Sequence, residues 1–167
     1  MIVLEERLRE LFDLIPEIQV NSSNLKKPVF SWGKKEELNR WVQAYDSNTY
    51  PLIWLLPDEE KHNNFSDLAT RRIVLILATL ETRRDLFNAQ RYQGSYKSVL
   101  NPLTDYIIKA FQRSNITRLI NANDITIFKE PNYSEREENG SIDLWDAVRI
   151  ECEVEFNNNC LTTIQWT

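Results

Sequence analysis

Asp124, Glu151, Glu153 and Glu155 are the residues whose types and spacing come closest to a reactive set. The three glutamates alternate with Ile150, Cys152, Val154 and Phe156, so a strand would place them on one face. Carboxylates gathered in this way hold a divalent ion in metal-dependent nucleases. The run lacks the lysine that nuclease strands usually add beside their acids, and any solvated strand face produces the same acidic ladder. His62, the single histidine, stands between Lys61 and Asn63 in a polar stretch. It reads as a surface side chain rather than a metal ligand or general base. A Ser-His-Asp triad would have to use it, and no glycine-flanked serine elbow is present. Three glycines, Gly33, Gly94 and Gly140, cannot write a phosphate-cradling loop or a dinucleotide fingerprint. Cys152 and Cys160 have no metal-type spacing and cannot close a zinc site with one histidine. No cofactor or metal is expected.

A second group of interest is basic and aromatic. The stretch Thr82 to Lys97 carries Arg83, Arg84 and Arg91 with Tyr92 and Tyr96, a mixture that binds nucleic acid or an acidic protein face. It reads as a long loop covering a sheet edge, with an inter-subunit contact as its functional version. The net charge of −5 argues against a large basic footprint for gripping phosphate.

The elements that must position these groups follow from periodicity. Arg71 to Glu81, RRIVLILATLE, has five consecutive large aliphatics from Ile73 to Leu77 and predicts a central strand covered on both faces. Asp146 to Asn157 alternates apolar and charged residues and predicts a strand with one side on the core. Leu4, Leu8, Leu11, Phe12 and Ile15 share one face of a helix that Pro16 stops. Leu38, Trp41, Val42 and Tyr45 share a face of a second helix, over Lys34 to Tyr45. Val99 to Phe111 repeats at helical spacing, with Asn101 as N-cap and Pro102 at the first helical position. Short strands are predicted at Pro28 to Gly33, Pro51 to Pro57 and Asn123 to Glu130. Asp58 to Asp67 and Pro131 to Ser141 read as hydrophilic loops. In the tail, Leu161, Ile164 and Trp166 are costly to leave exposed and predict an edge strand or a contact with a neighbour.

The chain of 167 residues, 42% hydrophobic and 27% charged, predicts one α+β domain over residues 1–167. Its mixed, mostly antiparallel sheet has about 4–6 strands, with two main helices packed on one face. The first residues, MIVLEERLRELF, mix acids and bases into their apolar pattern, which is expected of neither a signal peptide nor a membrane anchor. Reduced thiols in a cytosol-like compartment are expected with it.

The order and size of these elements resemble the tail-completion or tail-terminator proteins of long-tailed bacteriophages. Four stretches carry the likeness: PLIWLLP at Pro51 to Pro57, RRIVLILATLE at Arg71 to Glu81, SVLNPLTDYIIKAF at Ser98 to Phe111, and DLWDAVRIECEVEF at Asp143 to Phe156. The resemblance implies a non-enzymatic virion protein, made in the host cytoplasm, that forms a homo-oligomeric ring at the head-to-tail junction. Such rings are often six-fold or twelve-fold and stack between a portal-side adaptor and the tail tube, with DNA as passing cargo and no membrane partner. On that reading Glu151, Glu153 and Glu155 face a lumen or a neighbouring subunit. Arg83, Arg84, Arg91, Tyr92 and Tyr96 contact an adjacent subunit or ring. The alternatives are a metal-dependent nuclease using the strand carboxylates and a small intracellular protein-binding module.

Overall fold

Two long strands, β6 (Leu68–Leu80) and β9 (Trp145–Asn157), form the axis of the protein. They pair antiparallel along their whole length, from Leu68 opposite Asn157 to Leu80 opposite Trp145. The structure, a computed structural model, describes residues 4–44, 49–63, 68–81, 83, 85–121, 124–131, 133, 145–157 and 164–166.

The remaining strands flank this pair in two storeys. Alongside the upper half lie β3 (Val29–Trp32) and β4 (Leu52–Leu55) on the β6 side and β8 (Thr126–Glu130) on the β9 side. Alongside the lower half lie β5 (Glu60–His62) next to β6 and β7 (Thr117–Leu119) next to β9. Every pairing is antiparallel except β3 with β4. The sheet is thus mixed and mostly antiparallel, and the seven strands it has among the described residues exceed the expected number. A separate hairpin joins β1 (Ile18–Asn21) to β2 (Asn24–Lys26).

Alternation assigns the two faces. Ile53, Leu55, Ile73, Leu75, Leu77, Val148, Ile150, Val154 and Phe156 point inward and meet α1 (Leu4–Phe12) and α4 (Asn101–Arg113), the two main helices. Helix α1 supplies Leu4, Leu8, Leu11 and Phe12, at the spacing its sequence predicts, and α4 supplies Leu103, Ile107, Ala110 and Phe111. A buried aliphatic side chain of this size contributes about 1.5–3 kcal/mol. On the opposite face Leu52, Trp54, Ile76, Ala78, Trp145 and Ala147 pack against Leu38 and Val42 of α2 (Lys35–Ala44). Trp41 joins that cluster edge-on to Trp54, with centroids 5.6 Å apart; Tyr45 lies outside the described residues.

The expected loop at Thr82 to Lys97 is instead largely helical. α3 (Asn88–Arg91) runs without a break into a π-helical segment, Tyr92–Leu100, and then into α4. Phe87 N–H donates to Gln90 Oε1 at 2.9 Å and closes the helix start. Asn101 is therefore not an N-cap. It has helical φ and ψ, and its N–H reaches back five residues to the Tyr96 carbonyl. Pro102 explains the widening: it has no N–H and its ring crowds an α-helical turn before it, so the preceding backbone takes the broader π pattern. Thr104 Oγ1 donates to the Leu100 carbonyl at 2.7 Å.

Smaller differences have similar causes. Within the expected loop Asp58 to Asp67, Glu60 to His62 form β5, because the first residues of β6 extend beyond β4 and offer a free ladder. Described parts of the tail pack on α4 rather than adding a strand: Ile164 bridges Ser114, and Trp166 lies edge-on to Tyr106 with centroids 5.4 Å apart. Leu161 and most of Pro131 to Ser141 lie outside the described residues.

Candidate functional site: the uncovered half of the sheet

Helix α2 covers only the upper storey of the outer face. In the lower storey that face is a charged floor four strands wide, β5, β6, β9 and β7, crossed by Lys61, Thr70, Arg72, Glu153, Glu155 and Arg118. Asp58, Glu59 and Asp124 rim it, with Thr126 and Glu151 at its upper border, around an open groove of about 480 Å³. Period-two alternation builds the floor directly. β6, β9 and β7 each spend one side on the aliphatic core and leave the other to water, while β5 sets Glu60 and His62 on the inner side beside Arg71.

The expected grouping of Glu151, Glu153 and Glu155 on one face is thus observed, but the three glutamates have different surroundings. Glu151 lies between two guanidiniums: Arg72 Nη2 donates to its Oε2 at 2.6 Å, and Arg149 Nη1 stands 3.2 Å from its Oε1. Hydrogen bonding to Glu151 and its charge hold Arg72 above its usual pKa. Arg149 also approaches Glu130 at 3.7 Å and stacks over Phe128 at 4.3 Å. Glu153, directly opposite Arg72 in the register, loses that partner to Glu151 and is exposed. Glu155 stands opposite Arg118. Among the described residues no group of three His, Cys, Asp or Glu side chains could hold a metal ion. The Glu151 carboxylate is already balanced by two cations, which repel a divalent ion from it.

The basic and aromatic group divides. Arg91 and Tyr96 turn inward and are corrected from contact surface to interior. Arg91 pairs with Asp146 at 2.8 Å and donates to the Arg83 carbonyl at 3.2 Å, while the Tyr96 hydroxyl donates to the Ala147 carbonyl at 3.2 Å. Helical spacing of Arg91, Ser95, Tyr96, Val99 and Leu100 puts all five on the buried side. Arg83 stays exposed and donates through Nε to Glu81 at 3.2 Å. Arg84 lies outside the described residues. Tyr92 is 44% exposed and has the Lys129 ammonium 4.9 Å from its ring centroid. With Ala89 and Pro131 it lines a second, mostly apolar groove of about 420 Å³.

His62 lies on β5 with Nε2 3.7 Å from Glu60. Glu60 in turn approaches Arg71, a buried arginine that donates to Glu5 of α1 at 2.7 Å and to the Leu56 carbonyl at 3.3 Å. This network fastens α1 to the sheet margin. Sequence reasoning missed it because Arg71 and Arg72 look alike until the strand's alternation sends one to each face.

No helix among the described residues is long and apolar enough to cross a membrane. A scan against protein-family models finds no match, and a search of curated proteins finds none either.

Proposed function

We propose that this chain is a structural, non-enzymatic subunit of the head-to-tail junction of a tailed bacteriophage. It assembles as a homo-oligomeric ring between the portal side and the tail tube, through which DNA passes. The placement of exposed apolar side chains carries the reading. Ile120, Ile127, Phe128 and Tyr92 crowd the β7 and β8 margin of the sheet, and Trp32 stands exposed on β3 at the opposite margin. A subunit that is adhesive at two different, opposed margins associates head to tail, and such contacts close into rings when the rotation between copies allows it. The charged floor supports the same reading. Glu153 and Glu155, with the rim acids Asp58, Glu59, Asp124 and Glu151, outnumber Lys61, Arg72 and Arg118 around the groove, and that negative balance, facing a lumen or a neighbour, keeps a passing polyanion from sticking.

The nuclease alternative is disfavoured by the two arginines on Glu151. Light scattering of the purified chain, alone and with portal or tube protein, together with negative-stain images, tests the proposal. A species of defined ring mass supports it, and a monomer under every condition rejects it. Reversal of Glu153 and Glu155 to lysine is expected to slow DNA passage or block assembly, and normal infectious particles from that double variant would refute the role given to this face.

A further inference from the structure

Trp32, Leu55, Leu75, Ile150 and Ile127 form a single row across β3, β4, β6, β9 and β8, all on the inner face. Its interior members are fully buried, whereas its two ends are 38% and 44% exposed. At strand spacing of about 4.8 Å the row spans about 19 Å. Among the described residues β3 pairs only with β4, and β8 only with β9. Among the described residues each end of the row therefore lies on a strand with one unpaired backbone side.

The directions of these strands also match. β3 is parallel to β4, β4 is antiparallel to β6, β6 to β9, and β9 to β8, so β3 and β8 run in opposite senses at the two margins. A copy translated along the row brings its β8 antiparallel against β3 of its neighbour, which is the more stable pairing sense.

Resting on the ring reading above, we infer that the subunit contact is this edge-to-edge union, in which β8 of one copy extends the sheet of the next. The register that continues the row sets Trp32 opposite Ile127, Phe30 opposite Lys129, and Ser31 opposite Phe128 of the neighbouring copy. Trp32 with Ile127 is an aromatic and β-branched cross-strand pair, one of the favourable kinds. Continued below Trp32 in this register, the exposed Lys34 comes opposite Ile125 and next to the exposed Asp124, so opposite charges meet at that end. The union covers the exposed apolar side chains of both margins and removes both free edges, the features that make an uncovered edge adhesive. The twist carried by each sheet turns successive copies relative to one another, so the row curves instead of extending flat.

Cysteine cross-linking tests the register. In a Cys160→Ser background, the double variant Trp32→Cys/Ile127→Cys is oxidised and run on a non-reducing gel, with each single variant alongside and the mass of the wild-type chain measured in parallel. A ladder of covalent oligomers from the double variant, with nothing beyond dimers from either single variant, is the expected result. A large wild-type species without a ladder overturns the edge union and leaves the ring reading standing. A monomeric wild-type chain, alone and with portal or tube protein, overturns both. A second variant, Ile127→Glu, changes an exposed side chain, so it is expected to keep the wild-type circular dichroism spectrum and to lose the large species. Retention of that species would also reject the contact.

Discussion

Arg91 and Asp146 meet inside the protein, Nη1 to Oδ1 at 2.8 Å, with side chains 1% and 0% exposed. The pair joins the start of the long helix to the upper end of β9. Removal of one partner strands the other charge in a dry site. Asp146→Asn is therefore expected to cost about 3–5 kcal/mol in urea unfolding. A loss below 1 kcal/mol would mean that the remaining guanidinium finds water or another acceptor.

Adjacent arginines are expected to behave in opposite ways. Arg71 is 3% exposed and holds Glu5, Glu60 and the Leu56 carbonyl, whereas Arg72 is 61% exposed and holds Glu151. Arg71→Ala should cost about 3 kcal/mol or more because it leaves acids behind in a nearly closed site. Arg72→Ala should cost far less, and that cost should shrink further with added salt. Denaturant titrations at low and high ionic strength separate the two.

Burial pushes the Cys152 thiol from its ordinary 9.0 up to about 12. Below pH 9 it is protonated both folded and unfolded, and its contribution to stability is fully present. Above pH 9 the unfolded chain releases that proton while the folded chain keeps it, so the contribution falls progressively toward pH 12. Cys152→Ala should flatten this part of the stability curve. If wild type and variant lose stability in parallel between pH 9 and pH 11, the thiol is not the group responsible.

Two glycines should respond with opposite sign. A Cβ on Gly94 would meet no heavy atom within 4 Å, so Gly94→Ala removes a helix-weakening residue at no steric cost. It is expected to stabilise by about 0.5–1 kcal/mol. At Gly33 the backbone has φ +151°, and a Cβ would stand 2.5 Å from Glu37 Oε2 and 3.0 Å from Trp54 Cζ2. The Gly33 carbonyl accepts from Trp54 Nε1 at 3.0 Å, which fixes the turn in place. Gly33→Ala is expected to destabilise by about 1–3 kcal/mol, and equal melting temperatures for both variants would contradict this account.

Strong periodicity was the legible part of the chain. The apolar run from Ile73 to Leu77, the alternation from Val148 to Phe156 and the stripe from Leu4 to Phe12 each bury one large continuous surface, so their patterns survive in sequence. The acidic face of β9 was legible for the same reason. Strands β5 and β7, three residues each, are too short to show a period and exist because β6 and β9 offer them a ladder. The stretch around Tyr92 was misread because its buried side includes Arg91 and Ser95, polar residues satisfied by Asp146 and Glu81 from distant segments. Gly94 in that stretch also signals a loop when no tertiary partner is in view. The clamping of Glu151 by Arg72, 79 residues away, and the sharing of one row by Trp32 and Ile127, are properties of register, which a single sequence does not print.

The pairing of β6 with β9 also has a kinetic consequence. Even their nearest partners, Leu80 and Trp145, are separated by the whole long helix, β7 and β8. The two central strands therefore cannot zip from a tight turn. They must await a large loop closure, which places this chain with slow-folding, high-contact-order topologies rather than with hairpin-nucleated sheets. Until that closure the edges of β3 and β8 are exposed on unfinished sheets. Production at low temperature and low concentration should accordingly raise the yield of correctly folded protein.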